Sequence, residues 1–348
     1  MKRRMSVVSV SALTALVLSS CGDDGNGNEG GGEISIQFGH VISPGDTQDQ
    51  AYESFAETVE ENSDGRIIVE VYPDSQLGGE NEMIEAVQSG QIEMTAPSAG
   101  VLANFNDALE IFDFPFIFED VETAYEVLDS DFGQEVLDDL EGSGLQALGW
   151  GENGFRNLAM TSPEPVTTPD EMAGQSLRTM EVPLHIAYWE SIGANPAPLA
   201  FPEVYTSLQQ GVVDGVENPY ELLHSANFTE VADSLTATQH LYDPEVILIG
   251  EDFFGDLSEE DQEILQGATA EMIAELRELK VGANEEIREE IEAEGGEVHD
   301  LSDSERQEWL DSAIPFYEER ADSVDTDRLI ELLEAAGNET YLEALDAD

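Results

Sequence analysis

The chain has 348 residues, with 77 Asp and Glu against 12 Lys and Arg, and a formal net charge of −65. A surface this acidic repels phosphate groups, which excludes nucleic-acid binding. An apolar content of 41% is sufficient for globular cores, so the charge does not indicate a disordered chain. Salt at about 1 M shortens the Debye length to about 3 Å and screens self-repulsion, so the charge predicts a highly saline exterior.

The N-terminus has the pattern of an export signal. Lys2, Arg3 and Arg4 precede an apolar run, residues 5–18, that is too short to span a bilayer. The tetrapeptide LSSC, which ends at Cys21, resembles a lipobox, in which the cysteine becomes the lipid-carrying N-terminus. A lone cysteine can also be a buried small apolar residue. We expect a secreted, lipid-anchored protein, exported by either the general or the twin-arginine route.

Composition also predicts where folding begins. Residues 1–21 are expected to be the lipoprotein signal peptide and lipobox. Residues 22–32, GDDGNGNEGGG, are too polar and Gly-rich to bury a core and are expected to form a flexible linker. Roughly 315 residues remain from Glu33 onward, which is more than one core usually serves and suggests two domains.

The first folded segment alternates strand and helix patterns. The predicted elements are a strand at Ile34 to Phe38, a helix capped by Asp46, a strand at Ile67 to Tyr72, a helix opened by Gly78-Gly79, and a strand at Ile92 to Ala96. This order predicts an α/β fold with a largely parallel sheet.

A second α/β set is predicted to start near Gly154, after a strand at Leu145 to Trp150. Its elements are a strand at Ser176 to Thr179, a helix at Leu184 to Ile192, an extended segment at Ala194 to Leu199, a helix after Pro202 and a strand at Val212 to Val216. The remaining elements are a strand at Val246 to Gly250, a long helix capped by Ser258 and continuing towards Ile291, and helices at Glu305 to Tyr317 and Arg328 to Ala336.

The chain shows no pattern typical of an enzyme. It has no phosphate-binding loop, no dinucleotide-binding fingerprint and no nucleophile elbow. Its five histidines do not lie at metal-ligand spacing. Acidic pairs are too frequent to indicate catalysis. We therefore expect no catalytic residues, no cofactor and no metal site.

Two arginines are conspicuous because cations are rare. Between Arg66 and Arg277 the only cations are Arg156 and Arg178. Both follow or end predicted strands, where the ligand-facing loops of α/β sheets begin. A guanidinium can bind a carboxylate through two parallel hydrogen bonds. Pairing with a structural carboxylate is the alternative role, and the residues alone leave both open.

The stretch 177–219 reads LRTMEVPLHIAYWESIGANPAPLAFPEVYTSLQQGVVDGVENP. It closely resembles the signature of the solute-binding proteins of tripartite ATP-independent periplasmic (TRAP) transporters, the DctP family. The segments FGH, YPDSQLGGENEMIEAVQSGQIEM, FDFPFIF and ENGFRN match in the same order. The resemblance extends from about Glu33 to the C-terminus, and the C-terminal helices match least specifically.

The resemblance implies an α/β, two-lobed periplasmic-binding-protein (Venus-flytrap) fold with a long connecting helix. Lobe I is expected to comprise residues 33–153 plus about 244–283, and lobe II residues 154–243 plus about 284–348. The implied function is capture of a small carboxylate-containing solute outside the membrane. Delivery to the small and large membrane subunits of a TRAP transporter would then allow uptake driven by an ion gradient.

The resemblance also implies ligand-binding residues. Arg178 matches the arginine that binds the ligand carboxylate, and Arg156 matches a second arginine that often contacts the ligand. Asn218 matches a ligand-contacting asparagine, and Phe201 matches the aromatic residue that lines the pocket. Further candidates near the matched residues are His40, Trp150, Glu152 and Tyr220.

Some alternatives remain open. Family members that bind sialic acid carry Glu and Arg where this chain has Ser98 and Val101, so sialic acid is not expected. A zwitterionic solute would supply a carboxylate without net charge and would suit a saline habitat. A binding protein that feeds a sensor is a second possible function, and a hydrolase or lyase on this scaffold is a third.

Overall fold

The computed structural model describes residues 33–293 and 296–345. The predicted signal peptide, the lipid-attachment residue Cys21 and the linker at 22–32 lie outside the described residues. Within the described residues, no helix combines the length and the apolar character needed to cross a bilayer.

The strands are β1 (Ile34–Gly39), β2 (Ile67–Tyr72), β3 (Met94–Thr95), β4 (Leu145–Met160), β5 (Ser176–Thr179), β6 (Asn195–Pro198), β7 (Gly215–Asn218), β8 (Ser234–Gly250) and β9 (Val298–His299). The helices are α1 (Thr47–Asn62), α2 (Glu80–Gln88), α3 (Ala99–Leu102), α4 (Val121–Leu128), α5 (Asp131–Asp138), α6 (Pro183–Ser191), α7 (Val204–Gln209), α8 (Tyr220–Ser225), α9 (Glu251–Asp256), α10 (Glu259–Lys280), α11 (Ala283–Ala293), α12 (Asp303–Arg320), α13 (Thr326–Ala335) and α14 (Glu339–Leu345).

The described residues form one sheet of nine strands in the order β2-β1-β3-β8-β4-β7-β5-β6, with β9 beside β8. Strands β1, β2 and β3 are parallel and form the first α/β unit, residues 34–95. Strands β5, β6 and β7 are also parallel and form the second α/β unit, residues 176–218. The long antiparallel strands β4 and β8 join the two units. The predicted α/β class is therefore confirmed.

The joining strands are much longer than predicted. The sequence indicated only residues 145–150 and 246–250, because Gly residues in β4 and Pro244 in β8 resemble turn signals. The ladder accommodates these residues through irregular register. Two successive residue pairs, Glu152 with Pro244 and Gly154 with Asp243, leave Asn153 as an extra residue on β4. Such a bulge bends a strand without ending it.

The long helix ends earlier than predicted. Helix α10 begins after the Ser258 cap, as predicted, but stops at Lys280 and does not continue to Ile291. Gly282 adopts φ +89°, a conformation that favours glycine, and a new helix follows. Met272 of α10 packs in the core of the first unit, whereas Ile291 of α11 packs with the second unit. The break therefore marks the passage of the chain from one unit to the other.

Other differences concern short elements. Strand β3 has only two residues where Ile92 to Ala96 was predicted, and β7 begins at Gly215, later than expected. Helices α5, α8 and α14 were not predicted, because each is short and offers few turns of apolar periodicity.

The start of α10 provides a test of the predicted cap. The hydroxyl of Ser258 accepts a hydrogen bond from the Asp261 backbone at 3.2 Å. We expect Ser258→Ala to lower the free energy of unfolding by about 1 kcal/mol, because a backbone donor loses its partner. Denaturant titration in molar salt measures the change. Ser207→Ala, inside α7, is the control, and an equal effect of both substitutions would contradict a capping role.

Candidate functional site

A cavity of about 340 Å³ lies beside the end of β5. Its lining residues are Gly79, Glu80, Asn81, Glu82, Val101, Arg178, Met180, Glu181, Leu199, Ala200, Phe201, Pro202 and Glu203. A much smaller recess, about 10 Å³, adjoins it and shares Glu80, Arg178, Met180 and Phe201. The walls come from both α/β units, so the cavity lies between them.

The guanidinium of Arg178 lines this cavity, and one of its nitrogens has no hydrogen-bond partner among the described residues. It lies within β5, between β6 and β7, and is only 2% exposed. Nε and Nη2 donate to the carbonyl oxygen of Leu199 at 3.0 and 2.7 Å. Nη1 is buried and has no hydrogen-bond partner among the described residues. The guanidinium is thus oriented by a neutral group, and no carboxylate of the described residues bonds to it.

The electrostatics of Arg178 reflect this environment. Burial, together with the positive charge of Arg156, lowers the pKa of Arg178 to about 10, although Glu217 and Glu80 act in the opposite direction. The group remains charged at neutral pH. A buried charge without a partner is costly. An anion placed at Nη1 would supply both the missing hydrogen bond and the missing countercharge.

Arg156 differs from Arg178 because two carboxylates of the protein already neutralise its charge. Nε and Nη2 donate to the two carboxylate oxygens of Glu217 at 2.5 and 2.8 Å, and Nη2 also donates to the Glu217 carbonyl. Nη1 donates to Asp243 at 2.6 Å. Burial opposes the charge, but the two carboxylates outweigh it and raise the pKa of Arg156. These bonds use four of the five guanidinium donors, and the fifth, on Nη1, faces Asn218.

Two other predicted residues line the cavities. Asn218 follows Glu217 on β7 and lines the recess. With its amide oxygen facing Arg156, it accepts from Nη1 and Nη2 at 3.2 and 3.3 Å. Phe201 begins a short 3-10 helix and lines both cavities, with its ring 5.5 Å from that of Phe228. The structure therefore brings Arg178, Arg156, Asn218 and Phe201 together.

Glu80 is a site residue that the sequence did not indicate. It opens α2 directly after Gly78-Gly79 and lines both cavities. Its Oε1 accepts a hydrogen bond from the Ser98 backbone at 2.7 Å. Burial, reinforced by the negative charge of Asp243, raises the pKa of Glu80 to about 7. The carboxylate thus faces the cavity in a state that is easily protonated.

Asp243 and Glu245 of β8 complete an acidic wall of the recess. Asp243 accepts from the Ser98 hydroxyl at 2.5 Å and from Asn153 at 3.3 Å. Glu245 accepts from the Tyr52 hydroxyl at 2.5 Å, and burial raises its pKa to about 8. No sequence pattern singled out these acids, because carboxylates occur throughout the chain.

Trp150 and Glu152 do not line either cavity. Trp150 donates from Nε1 to the Gly133 carbonyl at 3.1 Å, and Glu152 accepts from the Tyr125 hydroxyl. The extra residue at 153 explains their position. Side chains alternate along a strand, and a one-residue insertion reverses the alternation. Trp150 and Glu152 therefore face the side opposite to Arg156.

The remaining candidates also lie outside the cavity walls. His40 is fully buried, with Nε2 3.4 Å from Asp49 and its ring 4.9 Å from that of Tyr52. It belongs to the packing between β1 and α1. Tyr220 lies in the core of the second unit, at the first position of α8, where its side chain turns away from the recess that Asn218 lines. His40 and Tyr220 were candidates because they lie near matched residues in the sequence, but that proximity does not determine where their side chains point.

Residues 38–323 match the family model described as bacterial extracellular solute-binding protein, family 7. A solute-binding protein from Verminephrobacter eiseniae is 43% identical over 62% of this chain and 64% of its own length, slightly less than two thirds. The 2,3-diketo-L-gulonate-binding periplasmic protein YiaO of Escherichia coli is 34% identical over 80% of this chain and 84% of its own length.

A solved structure shows the same architecture. The sugar acid binding protein DctPAm of Advenella mimigardefordensis, in complex with galactonate, has a TM-score of 0.86 and 30% sequence identity. The similarity covers 88% of this chain and 98% of that protein. It confirms the α/β, two-lobed fold that the family resemblance implied, although here the long helix is interrupted after Lys280.

The raised pKa of Glu80 predicts a pH-dependent stability. Between its ordinary pKa of 4.5 and about 7, the folded protein retains a proton that the unfolded chain releases. Stability from this group is therefore lost as the pH rises through that range. Glu80→Gln removes the titration, so we expect it to unfold at a higher temperature than the wild type at pH 8, with the difference vanishing near pH 4.5. Scanning calorimetry at both pH values measures this, and a difference independent of pH would contradict it.

Proposed function

Because the chain belongs to family 7 of the bacterial extracellular solute-binding proteins, the binding subunits of TRAP transporters, we propose that it captures a small carboxylate-containing solute through Arg178. Members of this family are transport proteins, so the chain is a binding protein and not an enzyme. The observation that carries the proposal is the buried Nη1 of Arg178, which has no partner among the described residues and lies on the cavity wall. A ligand carboxylate is the group that fits it.

The energetics favour Arg178 over Arg156 as the principal contact. A hydrogen bond to a charged group contributes about 1.5–3 kcal/mol, and exclusion of water strengthens it. Arg178 has no competing carboxylate bonded to it, whereas Arg156 is held by Glu217 and Asp243. Arg156 therefore serves mainly to orient Asn218 and the recess. Its fifth donor, on Nη1, faces the amide oxygen of Asn218, so Arg156 acts on a ligand mainly through Asn218.

The cavity favours a hydroxylated monocarboxylate such as a sugar acid. Away from Arg178 its polar lining includes Glu80, Asn81, Glu181 and Glu203, whose side-chain oxygens accept hydrogen bonds from hydroxyl groups. A second ligand carboxylate would meet like charges there. The binding of galactonate by the Advenella protein and the name of the E. coli relative support this class. An ammonium group would also suit the acidic wall, so a zwitterionic solute is the alternative.

The two α/β units are the proposed lobes, which close on the solute. We place lobe I at residues 33–153 plus about 244–283, and lobe II at 154–243 plus about 284–348. The bulge at Asn153 and the helix break at Gly282 lie at these boundaries and support them. The closed form would dock on the small and large membrane subunits. A lipid on Cys21 would keep the protein at the membrane, and its acidity would suit a saline exterior.

A ligand screen with an arginine variant tests the proposal. In molar salt, we expect galactonate or a related sugar acid to raise the melting temperature of the wild type more than succinate does. Arg178→Met should then weaken binding about tenfold or more, because the carboxylate loses its charged partner. Isothermal titration calorimetry measures the affinity.

The matched control is Arg66→Met, which removes an arginine that pairs with Asp261 and lines neither cavity. It should leave the affinity within about twofold of the wild-type value. An unchanged affinity in Arg178→Met would remove this residue from the binding site.

The net charge makes a kinetic prediction. A protein near −65 repels an anionic solute at long range, so salt should speed association. Stopped-flow measurements with galactonate, from dilute buffer to molar salt, give the association rate. A rate that falls steadily with salt would contradict the prediction and indicate a cationic ligand.

A further inference from the structure

Lys280 is the only lysine among the described residues, and it is only 8% exposed. Lysine is rarely buried unless its charge is paired. Lys280 is the last residue of α10, two residues before the break at Gly282. The chain thus places its one described ammonium group inside the protein, where it passes from the first unit to the second.

Lys280 joins helices from both units. Its Nζ donates to Oε2 of Glu221 at 2.7 Å and to Oε1 of Gln48 at 3.1 Å. The other oxygen of Glu221 accepts from the Thr47 backbone at 2.9 Å. We call Lys280, Glu221, Gln48 and Thr47 the Lys280 cluster. It connects the N-terminus of α1, the first turn of α8 and the end of α10.

The helices of the cluster belong to different cores. Helix α1 packs through Tyr52 in the core that contains β1 and β2, and α8 packs through Leu223 in the core of the second unit. The bond from Thr47 to Glu221 therefore bridges the two units. Separation of the units would break it.

The cluster also contacts the wall of the recess. Nε2 of Gln48 donates to Oδ1 of Asn153 at 2.8 Å and to Oε1 of Glu245 at 3.0 Å. Asn153 and Glu245 both line the recess. Neither Lys280 nor Glu221 does so. Any effect of the ion pair on a ligand must therefore pass through Gln48 or through the arrangement of the two units.

The pair is charged at neutral pH. Burial alone would favour neutral Lys280, but Glu221 and Asp46 outweigh it and raise the pKa of Lys280. At Glu221, burial alone would raise the pKa of the carboxyl group, but the positive charge of Lys280 outweighs burial and lowers that pKa. Removing Lys280 would leave the buried Glu221 without its cation, and removing Glu221 would leave Lys280 with the charge of Asp46 but without a bonded carboxylate, and both changes are unfavourable.

We propose that Lys280 is a positioning residue for solute binding, which through Glu221 holds the two units in the arrangement that forms the cavity and through Gln48 fixes Asn153 and Glu245 at the recess. This proposal rests on the proposed function. The ion pair stabilises the arrangement in which the cavity walls meet, so a bound solute is released more slowly when the pair is present.

Solution kinetics with galactonate test the role. We expect Lys280→Met and Glu221→Gln each to raise the dissociation rate about fivefold or more, with a smaller change in the association rate. The double variant should show less than the sum of the two effects, since both remove one interaction. Lys280→Gln, which keeps a hydrogen-bond donor, replaces Lys280→Met if the latter fails to fold. Arg66→Met breaks an ion pair at the other end of α10 and is the matched control.

A second measurement needs no solute. In the ligand-free protein, Glu221→Gln and Lys280→Met should increase hydrogen exchange at the Thr47 amide and enlarge the radius of gyration in X-ray scattering at unchanged mass. Failure of every organic acid to bind the wild type would reject the proposed function and leave this measurement decisive. Unchanged exchange and size would overturn the proposal. The proposal would also be overturned if the variants exchange faster at the Thr47 amide but release galactonate at the wild-type rate. Lys280 would then contribute to stability alone.

Discussion

The site depends on a buried guanidinium whose charge the protein leaves without a bonded carboxylate. Arg178 is held in place by the Leu199 carbonyl, which orients Nε and Nη2 without neutralising them. In a chain with 77 acidic residues, this is notable because carboxylates are available almost everywhere. The β5 position, between two neighbouring strands, keeps the group fixed and largely dry. This incomplete pairing is the feature of the structure from which the proposed affinity for an anion would arise.

The surrounding residues make that incomplete pairing specific. Arg156 lies close enough to lower the pKa of Arg178, yet Glu217 and Asp243 bind it firmly, so the two cations do not act alike. Glu80 faces the same cavity and has a pKa near neutrality. Under the proposed function, the Arg178 end of the cavity would bind the carboxylate, while the acidic residues elsewhere would accept hydrogen bonds from hydroxyl groups. This asymmetry would give a solute a preferred orientation.

Sequence patterns predicted the α/β class and the two caps at Asp46 and Ser258, and the family resemblance implied the grouping of Arg178, Arg156, Asn218 and Phe201. These features depend on local periodicity and on motif residues. The acidic wall escaped prediction because a functional carboxylate cannot be distinguished in a sequence so rich in acids. Trp150 and Glu152 were misplaced for a different reason, since one extra residue in β4 reverses the direction of the side chains and leaves no local signal.

The chain connects its two units at three places: β4, β8 and the junction between α10 and α11. Each crossing limits how the units can move relative to one another, so three crossings restrict that motion more than one would. Two of the three are hydrogen-bonded to each other as neighbouring strands, so sliding would break a ladder of backbone bonds, whereas bending deforms it gradually. Bending along β4 and β8 is therefore the relative motion of the two units that breaks the fewest backbone hydrogen bonds.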